Sequence, residues 1–202
     1  MDKLSYALGM SIAHNMMHSG VDKVDFNDFK NGLEAVMTGK EPELPIEEAG
    51  KVLDEYFQKL EAEAAAKQAE IAEVMKKQGE EFLAANKEKE GVIALPSGLQ
   101  YKVLKEGNGI KMPAATDQVK CHYEGRLVDG TVFDSSYKRG EPAVFGLDQV
   151  IKGWTEGLQL MNEGSKWELY LPYNLAYGEA GAAGAIPPYA TLIFTVELLE
   201  VL

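Results

Sequence analysis

The hydrophobic period of the chain changes near residue 91. Before it, apolar side chains recur at helical spacing; after it, they gather in short runs broken by glycine. Leu4, Leu8 and Ile12 step by four, with Ala7 and Ser11 beside them, which predicts one apolar helix face. Gly20 and Val21 interrupt the pattern. A second helix is predicted from Asp25, whose carboxylate suits the free amides of a first turn. Phe26, Phe29, Leu33, Val36 and Met37 form its stripe, and Gly39 is its stop. Two helices this short cannot bury both stripes against each other and reach the stability of a domain. A second copy of the chain is the expected cover, with Met10, Met16, Met17 and Met37 as adaptable contacts.

From Pro45 to Lys89 a single long helix is predicted. Pro45 suits its first position, and Glu47 and Glu48 complement the positive end of its dipole. Leu53, Phe57, Leu60, Ala64, Ile71, Met75, Gln78 and Phe82 make only a narrow seam, and the Ala/Glu/Lys-rich remainder must face water. At 1.5 Å per residue such a helix would run roughly 65 Å, which suggests a solvated spacer.

Beyond Gly91, β-like runs are predicted at Leu99–Leu104, Val119–Val128, Thr131–Phe133, Lys166–Leu171 and Thr191–Val201. Asp129-Gly130 between two of them is a hairpin signal. One amphipathic stretch, Val150–Met161, predicts a short helix with Val150, Ile151, Trp154, Leu158 and Met161 on one face. The expected class is therefore α+β. Three segments result: a helical dimerisation module over 1–44, a spacer helix over 45–90 and a sheet domain over 91–202.

Charge narrows the partners. The first 91 residues hold 11 lysines, no arginine and 19 acidic residues; the rest hold 9 basic and 13 acidic. A net charge of −12 argues against nucleic acid, which needs clustered Lys and Arg. No apolar run approaches the roughly 20 residues of a membrane span. The start of the chain, with Asp2 and Lys3 early, does not read as a signal peptide, so a cytoplasmic location is expected. The alternative is periplasmic, if such a peptide has been removed.

The usual catalytic inventories are empty. His14 and His18 have the i,i+4 spacing of metal ligands, but no Glu lies between them to complete a zincin motif; ordinary surface or interface histidines are expected. Cys121, the single cysteine, sits in a strand-like run and reads as packing. Neither a metal nor a cofactor is expected. What stands out is a concentration of aromatics near turns: Tyr123, Phe133, Trp154, Tyr173, Tyr177, Tyr189 and Phe194. By pattern alone these fit a plain sandwich core as well as a pocket, although Tyr177 and Tyr189 bracket a Gly/Ala/Pro loop that suits a rim better than a core.

Several motifs resemble one family. Leu95-Pro-Ser-Gly-Leu-Gln-Tyr101, Val119-Lys-Cys-His-Tyr-Glu-Gly125, Gly130-Thr-Val-Phe-Asp-Ser-Ser136 and Val150-Ile-Lys-Gly-Trp-Thr-Glu-Gly157 resemble the FKBP-type peptidyl-prolyl isomerases. So do Tyr177-Gly178 and Ile186-Pro-Pro-Tyr-Ala-Thr-Leu-Ile-Phe194. The likeness covers residues 92–202 in order. The first ninety residues are similar to the dimerising module of the bacterial branch that includes the macrophage infectivity potentiator.

The resemblance implies a half-open antiparallel sheet wrapped around one short helix, and acceleration of X–Pro isomerisation in folding proteins. It implies Trp154 as the floor of a proline pocket, with Phe133, Tyr123, Phe145, Val150, Ile151 and Phe194 as walls and Ile186 on the rim. The Ile151 amide and the Tyr177 phenol would donate to substrate carbonyls. Asp134, held by Arg139, would stand beside the twisting bond. Implied partners are a second copy of the chain, unfolded or prolyl-containing proteins, and rapamycin-type macrolides; chaperone activity as a dimer is implied too. Ala143 replaces an aromatic of better-known members, and Ala182 and Ala185 replace larger rim residues, so a shallow rim is expected. A binding module that holds prolyl segments without turning them over remains an alternative.

Overall fold

A computed structural model describes residues 1–202 and divides them into two compact units, Met1–Ala66 and Lys67–Leu202.

The first unit contains α1 (Lys3–His18), α2 (Phe26–Thr38) and the beginning of α3 (Ile46–Asn86). Capping explains where the short helices start. The Asp2 carboxylate accepts from the Ser5 amide at 2.7 Å, and Asp25 accepts from the Asn27 and Asp28 amides at 2.8 and 3.0 Å. Gly39, at φ +67°, takes the left-handed turn that ends α2. Neither α1 nor α2 contains a buried residue. Phe26, Val36 and Met37 are all more than three-quarters exposed, so a large part of the stripes legible in the sequence stays uncovered within the chain.

The second unit is a seven-stranded antiparallel sheet with one helix on its concave side. Its strands are β1 (Val92–Ala94), β2 (Gln100–Lys105), β3 (Gln118–Leu127), β4 (Val132–Ser135), β5 (Ala143–Gly146), β6 (Lys166–Leu171) and β7 (Leu192–Val201). Their order is β1-β2-β6-β7-β3-β4. β5 pairs with the first half of β3 (Val119↔Phe145), and β4 with its second half (Gly125↔Asp134). One long strand thus carries two short ones on the same edge, leaving a gap where the edge opens.

Helix α5 (Lys152–Leu158) packs on β6 through its glycines. A Cβ on Gly153 would lie 2.6 Å from Leu171 Cγ, and one on Gly157 would lie 3.1 Å from Leu169 Cδ1. The two glycines therefore allow an approach that larger residues would block, and they turn Trp154 and Leu158 into the core.

Three differences from the sequence reading have physical causes. The helix expected over Val150–Met161 is shorter, since Ile151 already has the extended φ/ψ of an N-cap. Strands β1 and β5 and the short helix α4 (Ser136–Arg139) were not expected; each has too few residues to show a period. The third difference lies in α3, which ends at Asn86 and belongs to both units. One face of its second half packs on the sheet, while the remainder stays exposed. Phe82 and Tyr170 rings lie 6.0 Å apart. The buried Asn86 amide donates to Gln100 Oε1 at 3.0 Å, and the Gln100 amide donates to the Leu83 carbonyl at 2.9 Å. The unit boundary consequently falls inside the helix and not near Gly91.

Candidate active site

Alternation along β3 places Val119, Cys121, Tyr123 and Gly125 on the buried face. Gly125 stands opposite Phe194 of β7. A Cβ there would lie 2.6 Å from Phe133 Cζ and 2.7 Å from Phe194 Cε1, so only glycine lets these rings meet. They do so edge to face at 5.6 Å. From the other side α5 inserts Trp154, 4 % exposed. Its indole is met edge to face by Tyr123 at 5.2 Å, Phe194 at 5.3 Å and Phe145 at 5.5 Å. Such T-shaped pairs favour a fixed arrangement beyond the area they bury. The Trp154 Nε1–H is buried without an acceptor in the protein.

A polar clamp closes one side of this aromatic group. The Tyr123 hydroxyl donates to Asp134 Oδ2 at 2.5 Å, and Arg139 donates to the Tyr123 oxygen at 2.8 Å while forming an ion pair with Asp134. The guanidinium also lies 5.5 Å from the centre of the Tyr123 ring. Helix α4 presents Arg139 because Ser135 caps its start and Gly140, at φ +80°, ends it one turn later. Burial alone would raise the Asp134 carboxyl, but its bonds from Tyr123 and Arg139 outweigh that and hold it below its ordinary value. Burial, followed by the bond to Asp134, pushes the Tyr123 phenol up.

Sequence reasoning missed Ser136. This fully buried hydroxyl accepts from the Tyr123 amide at 2.7 Å and donates to the Tyr123 carbonyl at 3.2 Å. It also lies 3.0 Å from Nδ1 of His122. A serine after a strand end carries no signal that would reveal this. Ser136 fixes the backbone from which the Tyr123 side chain projects.

Val150 and Ile151 lie half-buried just before α5 and pack against the same core. The Ile151 carbonyl accepts from the Trp154 and Thr155 amides, whereas its own N–H has no acceptor in the protein. Tyr177 is 42 % exposed and follows a 3₁₀ turn at Tyr173–Leu175; its hydroxyl has no partner in the protein. The loop after it is pinned at its neck, with Gly178 donating to Tyr173 at 2.8 Å and Tyr189 donating to Gly178 at 3.1 Å. Ile186 was expected on the rim. It is 7 % exposed and packs into the core, as does part of Ala182. Ala143 is half-buried on β5, and Ala185 is exposed.

The other candidates sit elsewhere. His14 and His18 are exposed on α1, with Nδ1 of His14 3.0 Å from the Met10 carbonyl. The Cys121 thiol is fully buried, and burial pushes it up to about 12, which removes it as a nucleophile near neutral pH.

Comparisons with known proteins agree on one relationship. Residues 109–199 match the family described as FKBP-type peptidyl-prolyl cis-trans isomerase, and residues 1–103 match the domain amino-terminal to such isomerases. The FKBP-type 22 kDa peptidyl-prolyl cis-trans isomerase of Escherichia coli is 44 % identical, over 98 % of this chain and 94 % of its own. A protein of Legionella longbeachae named outer membrane protein MIP is also 44 % identical, over 99 % and 85 %. The crystal structure of FkpA from Escherichia coli superposes with a TM-score of 0.75 at 37 % identity, covering 98 % of this chain and 95 % of that one.

Proposed function

The chain belongs to the FKBP-type peptidyl-prolyl cis-trans isomerases, and we propose that its reaction takes place over Trp154, between the Asp134 clamp and the Tyr177 hydroxyl. The observation that carries this assignment is the buried indole met by three aromatic rings, with a carboxylate fixed beside one of them.

Rotation about a peptide bond is opposed by about 18–20 kcal/mol of lost resonance. No covalent bond changes, so the reaction needs no nucleophile, and the buried Cys121 is not required. A twisted amide is less dipolar at its carbonyl than a planar one. An apolar site therefore disfavours the planar ground state more than the transition state, which is the differential effect that raises a rate. The pyrrolidine ring of the substrate packs on the Trp154 face, with Tyr123, Phe133, Phe145, Val150 and Phe194 around it. The unpaired Ile151 amide and the Tyr177 hydroxyl donate to the carbonyls on either side and hold the chain in a turn. Asp134 is already bound by two donors, so it acts as a fixed negative group beside the twisting bond and takes up no proton. Arg139 and Ser136 set the geometry of that group through Tyr123.

The exposed stripes of α1 and α2 support a second assignment: these helices dimerise with a second copy of the chain. A dimer would hold unfolded chains as well as turn over their prolines, which is the basis for a chaperone role. No helix is long and apolar enough to cross a membrane. The expected cytoplasmic location gains no support from the relatives, one of which is named an outer membrane protein, and we favour the periplasmic alternative. The half-buried Ala143 and exposed Ala185 make a low rim, for which we infer weak rapamycin-type macrolide binding.

The assignment is tested by protease-coupled turnover of a proline tetrapeptide with the full chain and with Trp154→Leu. Turnover well above background is expected for the first and a loss of at least about tenfold for the second, equivalent to roughly 1.4 kcal/mol of barrier. A folded Trp154→Leu variant with full activity would move the reaction elsewhere.

A further inference from the structure

A concavity lies beside the loop that leads away from Tyr177, within the Lys67–Leu202 unit. It is a cleft of about 460 Å³ between α3 and the loop that follows Tyr177, within the range of small-ligand sites. One wall is Gln68 and Ile71 of α3. The other includes Ala182, Ile186, Pro187 and Pro188. Ile186 lines this cleft and belongs to the buried core that contains Trp154, Tyr123 and Phe194, and Ala182, also in the lining, packs against that core. The loop wall of the cleft is thus backed by the same core that carries Trp154.

The loop wall is held firmly enough to serve as a binding surface. Ala182 and Ile186 exchange backbone hydrogen bonds at 2.9 Å each way. The Cβ that an alanine at Gly181 would carry has no room, because the Pro187 carbonyl would lie 2.6 Å away. At the foot of the loop Tyr189 takes a left-handed φ of +56°, its ring 5.0 Å from that of Tyr173 and within 5.9 Å of the Lys76 ammonium on α3. The helix and the loop therefore form one surface. Ile71 is half-buried and Gln68 exposed beside it, with no side-chain hydrogen bond of its own in the protein. An apolar side chain with an uncommitted amide next to it suits an extended peptide, which offers both side chains and backbone groups.

We propose that this cleft binds the extended apolar segment flanking the proline held over Trp154, with Ile71 and Gln68 determining the preference. The inference rests on the isomerase assignment above. On this assignment a tetrapeptide held over Trp154 leaves the cleft empty, so the cleft selects among long, unfolded substrates and leaves the reacting bond untouched. Its contribution is to substrate binding, and it should appear in KM with kcat unchanged.

The test uses the full chain and two peptides: a proline tetrapeptide, and a ten-residue peptide with the same core extended by leucine and valine. Isomerisation of both is followed by NMR line-shape exchange, and binding of the longer one by calorimetry. The expected result is a KM about tenfold lower for the longer peptide, the scale of one buried apolar side chain. Ile71→Glu should abolish that preference, Ile71→Leu should retain it, and tetrapeptide turnover should be the same in all three proteins. Unaltered tetrapeptide turnover shows that Ile71→Glu is folded. Equal KM for both peptides in the unaltered chain would overturn the proposal. So would a preference that survives Ile71→Glu, or equally tight binding of a long peptide with alanine in place of proline. Absence of turnover on either peptide would instead refute the isomerase assignment, while calorimetry still tests the cleft.

Discussion

Gly79 of α3 lies against Thr191 so closely that a Cβ on the glycine would overlap the threonine Oγ1 and come within 3.1 Å of its Cβ. This close approach of the helix to the sheet fixes the sign of a substitution. In an exposed helix, Gly→Ala gains up to about 1 kcal/mol. At Gly79 the added methyl must displace Thr191, and overpacking of this kind costs about 1–3 kcal/mol. Gly79→Ala is expected to lower the midpoint of urea unfolding. Gly50→Ala, on the same helix where a Cβ meets nothing within 4 Å, is expected to raise it. A raised midpoint for both variants would show that Thr191 yields to the added methyl without cost.

The same packing defines a minimal domain. Asn86, Leu83 and Phe82 hold α3 to β2 and β6. A fragment beginning at Lys67 should unfold cooperatively and turn over a tetrapeptide like the full chain. One beginning at Val92 exposes Gln100 and Tyr170 and should be less stable by several kcal/mol, since it loses a buried hydrogen-bonded pair and an aromatic contact. Circular dichroism melts of the two fragments separate these outcomes. Equal melting temperatures would make α3 dispensable.

These results also locate what the sequence left hidden. Asp25 and Gly39 carry strong local signals, and the helix between them was legible. The sheet-facing side of α3 was legible only in part: Phe82 belongs to the seam read from the sequence, whereas Gly79 and Asn86 add nothing to a hydrophobic pattern. β5 has only four residues and exists through its pairing with β3, a contact remote in sequence. In the site, the pattern showed the aromatics as a cluster that fitted a core as well as a pocket; their edge-to-face arrangement depends on Gly125, whose importance is the absence of a side chain. Ile186, expected on the rim, is buried, and the return of its loop through the Ala182 bridge has no sequence signature.

The pH response follows from the clamp. The Asp134 carboxyl lies below its ordinary value, with burial opposing and the bonds from Tyr123 and Arg139 prevailing. A depressed carboxylate contributes stability that is present above the unfolded value of about 3.9 and is lost as pH falls through the lower folded value. Tyr123 is pushed up by burial and then by Asp134, so it stays protonated through the neutral range. Turnover is therefore expected to be level upward from about pH 5, with an acid limb below about pH 4. Tyr123→Phe removes one donor to Asp134 and should move that limb to higher pH. An unmoved limb in a folded Tyr123→Phe protein would place Asp134 outside the reaction.

Tyr177 separates catalysis from stability. It is 42 % exposed and its hydroxyl has no partner in the protein, so Tyr177→Phe should leave the melting temperature unchanged. If the hydroxyl donates to substrate, kcat/KM should fall about two- to thirteenfold, matching a hydrogen bond of roughly 0.5–1.5 kcal/mol. Full activity in this variant would leave the Ile151 amide as the one donor.

The first unit makes a prediction of its own. Phe26 is 82 % exposed and Val36 77 %, on a helix with no buried residue. Apolar side chains so placed lose water only against another molecule, and each fully covered one is worth about 1.5–3 kcal/mol. The full chain is expected to sediment with the mass of two chains at micromolar concentration. Phe26→Glu with Val36→Glu keeps α2 helical, since glutamate is a good helix former, but places charges in the contact. That variant should sediment as a single chain. Its tetrapeptide turnover should be unchanged, because Trp154, Asp134 and Tyr177 all lie in the other unit. Its effect should appear on an unfolded protein whose refolding waits on proline, where a single chain has only one site with which to hold the client, and the assisted rate should fall. Monomer mass for the unaltered chain would remove the dimer; a dimer that persists in the variant would place its contact away from α2.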